Sequence, residues 1–381
     1  MTPPPLRPWA DLHADYFLPI IDRVPSLRDY VSIRAVCTAW RSALAPIRQS
    51  PSLLVLDDFQ PNDDGPPRDS SHVYALSISM QQRTFRLATL PHHSSRIIGS
   101  NNGYLIIADG CCLRALNPVT GKEIELLALP SNLWPRRVVL GPNPRPGCYT
   151  AVAICDHNYV TKLAYYMTTS GRTQWRIADV VTVDRAKLVD LFYDAERGDI
   201  YCLDERGDVQ VHHISPQGGR TKHLILAKRV VGAARPRSDC PSTFAPPYDI
   251  MAKKIYFKRI YLCEGAIYQV WQNTGSTIKL QLPAGGVFTM SSDEMLVLGY
   301  YPERRPCWET VKDLGGYSVF ICKNNAMVVK AEDTSGVRPN CVYWVDCRLR
   351  PWVFDMSTKT TTLCVLSPSV GRPMCWYFNR D

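Results

Sequence analysis

The sequence has 381 residues, of which 45% are hydrophobic and 21% are charged, so the chain is long and apolar enough to bury a large core. No apolar run approaches the roughly eighteen residues of a membrane-spanning helix, and the proline-rich start MTPPPLRPW lacks the apolar segment of a signal peptide. The formal charge of +9 comes from scattered basic residues, which favours neither nucleic acid nor a membrane as partner. We expect a protein of the cytosol, the nucleus or both, with its 14 cysteines reduced.

The segment from Trp9 to Pro46 has the pattern of three short helices. The first contains apolar residues at the spacing of one helical stripe, namely Leu12, Tyr16, Phe17, Ile20, Ile21 and Val24. Pro25 interrupts this stripe, and Ser26 with Asp29 three positions later predicts the N-cap of a second helix. A third, short helix is predicted to stop before Pro46. About forty residues bury too little surface to be stable alone, so these helices must pack against another part of the chain.

This helical segment resembles an F-box. The residues that match the family pattern, with no insertions between them, are Leu12, Tyr16, Phe17, Ile20, Ile21, Val36, Cys37, Trp40 and Arg41. His13 replaces the usual proline. Pro19 stands where the helix interior is expected and removes a backbone hydrogen bond at a cost of about 3 kcal/mol, so we expect the first helix to start late or to kink.

The F-box resemblance implies a partner. It implies docking onto the Skp-type adaptor of a cullin-based ubiquitin ligase, and the alternative is a generic helical cap on the next domain. The residues expected to bind the adaptor are Leu12, Tyr16, Phe17, Ile20, Ile21, Val24, Val36, Cys37, Trp40 and Leu44.

Beyond the helices, the chain has many short strands separated by glycine, asparagine and aspartate turns, which predicts a mainly β protein with a small all-α N-terminal module. The stretch PNDDGPPRD at 61–69 consists of turn and breaker residues and marks a connection. We therefore divide the chain into an F-box at 5–48, a linker with a possible first strand at 49–70, and a large β domain at 71–381. Similar units of roughly 45 residues predict a β-propeller of six or seven blades, and a large β-sandwich is the alternative.

The large domain has a resemblance of its own. It is similar to the plant domain of unknown function 295, a kelch-like, KIB-type β-propeller that commonly follows an F-box. The matching stretches are GSNNGYL and LNPVTG at 99–121, VDLFYDAERGDIYCLDERGDVQV at 189–211, and WETVKDLGGYSVFICKNNAMVVKAEDTSGVRPNCVYWVD at 308–346. The order of the two domains matches as well.

No motif for catalysis or for a cofactor is present. The sequence lacks a nucleophile elbow, a phosphate-binding glycine loop and a zinc-binding helix motif, so we expect a non-catalytic protein with no cofactor and no metal. Two pairs of neighbouring histidines, His92 with His93 and His212 with His213, would each point to opposite faces of a strand, which disfavours chelation of one metal by either pair. Glu332 and Asp333 are interpreted as turn residues rather than as an acid-base pair. A sugar-binding or hydrolytic propeller enzyme is left as a third interpretation.

Two stretches combine aromatic residues, arginine and proline in the manner of interface hot spots. They are NLWPRR at 132–137 and YYPERRPCW at 300–308, both expected on loops. The residues predicted to bind a target protein are Trp134, Arg136, Arg137, Tyr301, Arg304 and Arg305. The sequence thus predicts a substrate-recognition adaptor of a Skp-cullin-F-box ubiquitin ligase. The alternative is a protein-binding module with a degenerate F-box that acts outside ubiquitination.

Overall fold

The fold is that of a computed structural model. It describes residues 12–21, 23–24, 26–44, 52–56, 70–78, 84–91, 96–168, 174–178, 186–214, 226–229, 243–282, 285–322, 326–334, 336–346, 350–364 and 372–378. Three helices come first, α1 (Ala14–Ile21), α2 (Leu27–Arg34) and α3 (Thr38–Ala43), and α4 (Tyr248–Lys254) lies within the β region. No helix in these ranges is long and apolar enough to cross a membrane.

The strands account for most of the described chain. The first fourteen are β1 (Ser52–Leu56), β2 (Ser70–Ser77), β3 (Thr84–Pro91), β4 (Arg96–Asn101), β5 (Tyr104–Asp109), β6 (Cys112–Leu116), β7 (Glu123–Leu126), β8 (Trp134–Leu140), β9 (Thr150–His157), β10 (Val160–Met167), β11 (Arg176–Ala178), β12 (Leu188–Asp194), β13 (Asp199–Asp204) and β14 (Val209–His213). The remainder are β15 (Leu226–Arg229), β16 (Phe257–Cys263), β17 (Ala266–Gln272), β18 (Ile278–Gln281), β19 (Val287–Met290), β20 (Met295–Tyr300), β21 (Trp308–Thr310), β22 (Tyr317–Ile321), β23 (Met327–Lys330), β24 (Cys341–Val345), β25 (Pro351–Asp355), β26 (Thr360–Leu363) and β27 (Arg372–Tyr377).

Six sheets of four or five strands form the blades of a propeller. Blade 1 has the order β27-β1-β2-β3, blades 2 to 4 contain β4–β7, β8–β11 and β12–β15, blade 5 contains β16, β17, β20 and β21, and blade 6 contains β22–β26. Pairing is antiparallel except between β22 and β24, and the two-stranded β18-β19 sheet lies between β17 and β20 in the sequence. This arrangement confirms the propeller prediction with six blades and excludes the β-sandwich.

Blade 1 joins the two ends of the described chain. The C-terminal strand β27 pairs with β1, so that Leu53 lies between Trp376 on one side and Leu76 on the other. All three side chains are buried. The ring is therefore closed by the pairing of the first and last strands of the described chain.

The inner strands of neighbouring blades run in the same direction. A Cβ atom on Gly99 of β4 would lie 2.7 Å from the carbonyl oxygen of Val138 in β8, which shows how closely the two strands approach. Two residues further along each strand, the Asn101 side chain donates to Leu140 O at 2.8 Å and accepts from Leu140 N at 3.0 Å. The inner strands of the blades surround the central channel of the propeller. We call the end at which β4, β8, β12 and β16 begin the entrance face of this channel.

The N-terminal helices pack on blade 1. Ser26 caps α2 by accepting a hydrogen bond from Asp29 N at 3.3 Å, as its position in the sequence predicts. Tyr30 of α2 meets the ring of Phe85 in β3 edge-on, with the centroids 5.4 Å apart. Leu27 and Tyr30 belong to the same buried cluster as the residues of blade 1, so the helices share its core.

Candidate protein-binding surfaces

The helical segment divides the predicted adaptor-binding residues into exposed and buried sets. Tyr16, Ile20 and Val36 are exposed, although they are large and apolar. Ile21 and Leu44 were predicted on the same surface, but both are buried in the cluster shared with blade 1. Their position differs from the prediction because the helices use part of their apolar stripe to pack on the propeller.

The other predicted adaptor residues lie at the margin of this cluster. Leu12, Val24, Cys37 and Trp40 are half-buried, and the Phe17 side chain lies outside the described residues. Cys37 also has a local role, since its Sγ accepts a hydrogen bond from Trp40 N at 3.4 Å at the start of α3. Pro19 lies inside α1, which begins at Ala14, two residues after Leu12.

The stretch NLWPRR leads into β8, the inner strand of blade 3, rather than forming a loop throughout. Trp134 begins the strand at the entrance face and is 58% exposed. Arg136 is exposed and lies 3.7 Å from the carboxylate of Asp156 on β9. Trp134 and Arg136 therefore remain available to a partner.

Two exposed tyrosines on the entrance face carried no recognised sequence signal. Tyr159 is 97% exposed at the tip of the β9-β10 hairpin, and the Asn158-Tyr159 turn has positive φ at both residues. Tyr256 is 70% exposed and directly precedes β16. With Trp134 they give this end of the propeller three exposed aromatic side chains, a residue type enriched in protein interfaces.

Arg137 is buried, which corrects its assignment to an exposed loop. Its guanidinium lies 3.0 Å from the carboxylate of Asp190 on β12, and both side chains are almost fully inaccessible. The other oxygen of Asp190 accepts a hydrogen bond from Ile260 N of β16 at 2.9 Å. This ion pair therefore connects the inner strands of blades 3, 4 and 5.

Arg259 is the next cation along this ring of inner strands. It donates to Cys322 O from two nitrogens, at 3.3 and 3.1 Å, and to Lys258 O at 2.9 Å, and its guanidinium carbon lies 4.2 Å from the Phe257 ring centroid. Burial and then the charge of Arg137 lower its pKa to about 10, while Asp190 opposes the shift. The sequence reveals only a strand here, because the residues that surround Arg259 come from other blades.

The stretch YYPERRPCW lies at the other end of the propeller. It connects β20 to β21, and β20 runs parallel to β16 because both pair antiparallel with β17. Arg304 forms an ion pair with Glu309 and stacks on Tyr301 at 4.4 Å, while Arg305 donates to two carbonyl oxygens within the loop. The two predicted target-binding stretches are therefore not brought together.

Blades 4 and 5 hold buried titratable groups whose pKa values are shifted. Asp204 is buried at the β13-β14 turn, and burial followed by the charge of Asp208 raises its pKa to about 7. Lys258 is also buried and donates to Glu205 O at 2.6 Å and Ala252 O at 2.8 Å, and burial lowers its pKa to about 8. His212 is buried, whereas His213 points outward and contacts Asp199 at 2.9 Å.

No described group of three or more histidine, cysteine or carboxylate residues has the arrangement of a metal site. Glu332 forms an ion pair with Lys330 beside a short 3-10 turn at Ala331–Asp333. His92 and His93 lie outside the described residues. The expectation of a non-catalytic protein stays a prediction.

The six-bladed ring, with aromatic side chains exposed at one end, defines a β-propeller of the protein-interaction class. The model of the KIB1-4 β-propeller family matches residues 74–367, and the chain belongs to this family. Such a fold is consistent with a substrate-binding module. No curated protein matches the sequence significantly.

Several solved structures are similar at a low level. Hsv2 from Kluyvelomyces marxianus is 12% identical, with 67% of this chain and 71% of that chain covered and a TM-score of 0.32. Dihydro-heme d1 dehydrogenase NirN is 11% identical, with 88% and 76% covered and a TM-score of 0.33. A Bacteroides thetaiotaomicron protein of unknown function is 8% identical, with 82% and 89% covered and a TM-score of 0.28. Similarities at this level support no inference about the structure or the function of this chain.

Proposed function

We propose that this chain is the substrate-recognition subunit of a Skp-cullin-F-box ubiquitin ligase. The N-terminal helices bind the Skp-type adaptor, and through it cullin, while the propeller binds a target protein. The chain performs no chemistry and needs no cofactor. It holds the target near the ubiquitin-conjugating enzyme, which converts a two-body encounter into an effectively intramolecular one. The site of action is the cytosol, the nucleus or both.

The observation that carries the proposal is the division of the apolar residues in α1–α3. Leu27 and Tyr30 anchor the helices on blade 1, whereas Tyr16, Ile20 and Val36 are left exposed. Large apolar side chains that are exposed together on a folded protein indicate an interaction site. The resemblance of this segment to an F-box, ahead of a domain similar to plant domain of unknown function 295, gives the site its proposed partner.

A second function is kept because of Pro19. It occupies the interior of α1 and cannot donate a hydrogen bond from its backbone nitrogen. A helix weakened in this way would leave the propeller as a binding protein that acts outside ubiquitination. The two functions differ in one measurable property, which is binding of the purified chain to a Skp-type adaptor.

The test is capture of the full chain by a purified Skp-type adaptor. A Tyr16→Ala, Ile20→Ala variant should lose capture, because it removes two exposed apolar side chains and no described core contact. Ile177→Ala is the matched control, since Ile177 is also exposed but lies on β11 of the propeller. A Pro19→Leu variant tests the degenerate alternative.

The outcomes separate the two functions. Capture of the natural chain that is lost in the double variant and kept in Ile177→Ala supports the ligase subunit. Capture that appears only with Pro19→Leu supports the stand-alone binding protein. The second part of the proposal, binding of a target protein, is tested with proteins that stay bound to the chain when the proteasome is blocked. Each of them must be ubiquitinated by the reconstituted ligase only when this chain is present.

A further inference from the structure

Three arginines, Arg136, Arg137 and Arg259, lie on the inner strands near the entrance face. Arg137 is neutralised by Asp190 at 3.0 Å, and Arg136 faces Asp156 at 3.7 Å. Arg259 has no carboxylate within ion-pair distance in the part of the chain that the structure describes, and its hydrogen bonds go to neutral carbonyl oxygens. Of these three arginines, Arg259 is thus the one without a carboxylate partner among the described residues.

Arg259 retains unused hydrogen-bonding capacity. A guanidinium has five N–H groups, and three of those of Arg259 donate to Cys322 O and Lys258 O, which leaves two without a described acceptor. The face of the group lies on Phe257, and the side chain is partly exposed. It is thus held in a fixed position while two N–H donors remain for an anion.

Arg259 and Arg136 lie near the same end of the propeller. Arg259 is the third residue of β16, and Arg136 is the third residue of β8, so both lie near the start of their inner strands. The charge of Arg136 contributes to lowering the pKa of Arg259, after burial and Arg137. Trp134 and Tyr256 are exposed beside them in the sequence.

We propose that the guanidinium of Arg259, assisted by Arg136, binds a carboxylate of the target protein at the entrance of the central channel. The occupant is an aspartate or glutamate side chain, flanked by apolar residues that contact Trp134 and Tyr256. The inference rests on the proposed function, because the anion is supplied by the protein that the propeller holds.

The charge balance favours a carboxylate over a phosphate group. One carboxylate neutralises the charge of Arg259. A phosphate monoester carries about −1.5 to −2 charges at pH 7 and would leave negative charge beside Asp190, which is buried. The two remaining N–H donors of Arg259 also match the two oxygens of a carboxylate.

The experiment measures fluorescence anisotropy of a fluorescein-labelled hexaglutamate peptide with the full chain. Hexaglutamine is the neutral probe, and a glutamine hexapeptide with one phosphoserine tests the phosphate. Arg259→Gln and Arg136→Gln remove the proposed contacts one at a time. Arg197→Gln is the matched control, because Arg197 is exposed in the β12-β13 turn at the opposite end and pairs with Asp194.

We expect Arg259→Gln to weaken hexaglutamate binding at least about tenfold and Arg136→Gln to weaken it less, with Arg197→Gln unchanged. Arg259→Lys should bind hexaglutamate more tightly than Arg259→Gln but less tightly than the natural chain, since lysine keeps the positive charge and lacks the paired N–H donors of a guanidinium. Equal binding by the natural chain, Arg136→Gln and Arg197→Gln would overturn the proposal even if Arg259→Gln fails to fold. Tighter, Arg259-dependent binding of the phosphoserine peptide would overturn the choice of carboxylate. Adaptor capture plays no part in this assay, so the proposal fails separately from the ligase function.

Discussion

Two buried groups in blade 4 are expected to give the stability of this protein opposite dependences on pH. Asp204 accepts hydrogen bonds from Arg206 N at 2.9 Å and Asp208 N at 3.0 Å through one carboxyl oxygen, while its other oxygen is buried without a described partner. Burial raises its pKa to about 7. His212 is buried with no described partner for either ring nitrogen, and burial lowers its pKa to about 4.

The sign of each effect follows from which state binds the proton. Between pH 4 and 7 the folded protein holds a proton on Asp204 that the unfolded chain has released, so this group lowers the free energy of unfolding as pH rises. Between pH 4 and 6.5 the unfolded chain holds a proton on His212 that the folded protein has released, so this group raises the free energy of unfolding as pH rises.

The magnitudes nearly cancel. The difference between about 7 and 3.8 for the pKa of Asp204 corresponds to about 4 kcal/mol at about 1.4 kcal/mol per pH unit. The difference between 6.5 and about 4 for His212 corresponds to about 3 kcal/mol of the opposite sign. The two contributions therefore oppose each other between pH 4 and 7.

Single variants separate the two effects. Relative to the natural chain, Asp204→Asn should gain about 4 kcal/mol of unfolding free energy between pH 4 and 7, and His212→Phe should lose about 3 kcal/mol. The assay is urea unfolding followed by tryptophan fluorescence at several pH values. Differences from the natural chain remove the contribution of all other titrating groups.

A control variant and a clear refutation are available. Asp109→Asn removes an exposed carboxylate from the corresponding β5-β6 hairpin of blade 2, and it should follow the pH profile of the natural chain. If the difference between Asp204→Asn and the natural chain stays constant from pH 4 to 7, burial does not raise the pKa of Asp204 and the reasoning is wrong.

Two further predictions concern packing. Gly99→Ala should lower the free energy of unfolding by about 1–3 kcal/mol, because its Cβ would lie 2.7 Å from the backbone oxygen of Val138. Gly275→Ala is the control and should be close to neutral, because no atom lies nearer than 3.6 Å to its Cβ. Both are measured by urea unfolding. A double-mutant cycle of Tyr30→Ala and Phe85→Ala should give a coupling energy of about 0.5–1.5 kcal/mol, because the two rings are in contact. The assay is the protease susceptibility of α1–α3. If the free-energy changes of the two single variants simply add up in the double variant, the ring contact is contradicted.

Local features of the fold were predictable from the sequence because they depend on a few neighbouring residues. Ser26 caps α2 as its spacing from Asp29 indicates. The turns at Gly110 and Gly207 have φ of +61° and +86°, a conformation that glycine adopts without strain, and strands lie on both sides of each. Repetition of this pattern was enough to predict blades, although it did not give their number.

The contents of the channel entrance could not be predicted in this way. Arg137, Asp190 and Arg259 are neighbours in space but are separated by 53 and 69 positions in the sequence, and they meet only because the inner strands run in parallel. Arginine in an aromatic, proline-containing stretch has the same local pattern whether it is exposed or buried. The bulge in the pairing of β8 with β9, between Pro135 and Arg137, helps to determine which arginine points inward, and a single sequence does not reveal it.

The position of the helices determines how the two proposed surfaces relate to each other. The helices contact β3, the outermost strand of blade 1, whereas Arg259 and Trp134 lie on the inner strands of other blades. An adaptor bound to Tyr16 and Ile20 would therefore leave the channel entrance open. The shared cluster of the helices with blade 1 also removes the freedom that a flexible connection would give. Effective concentration falls as a linker lengthens. In the proposed ligase, this fixed joint would therefore favour delivery of one bound target to one adaptor-bound enzyme.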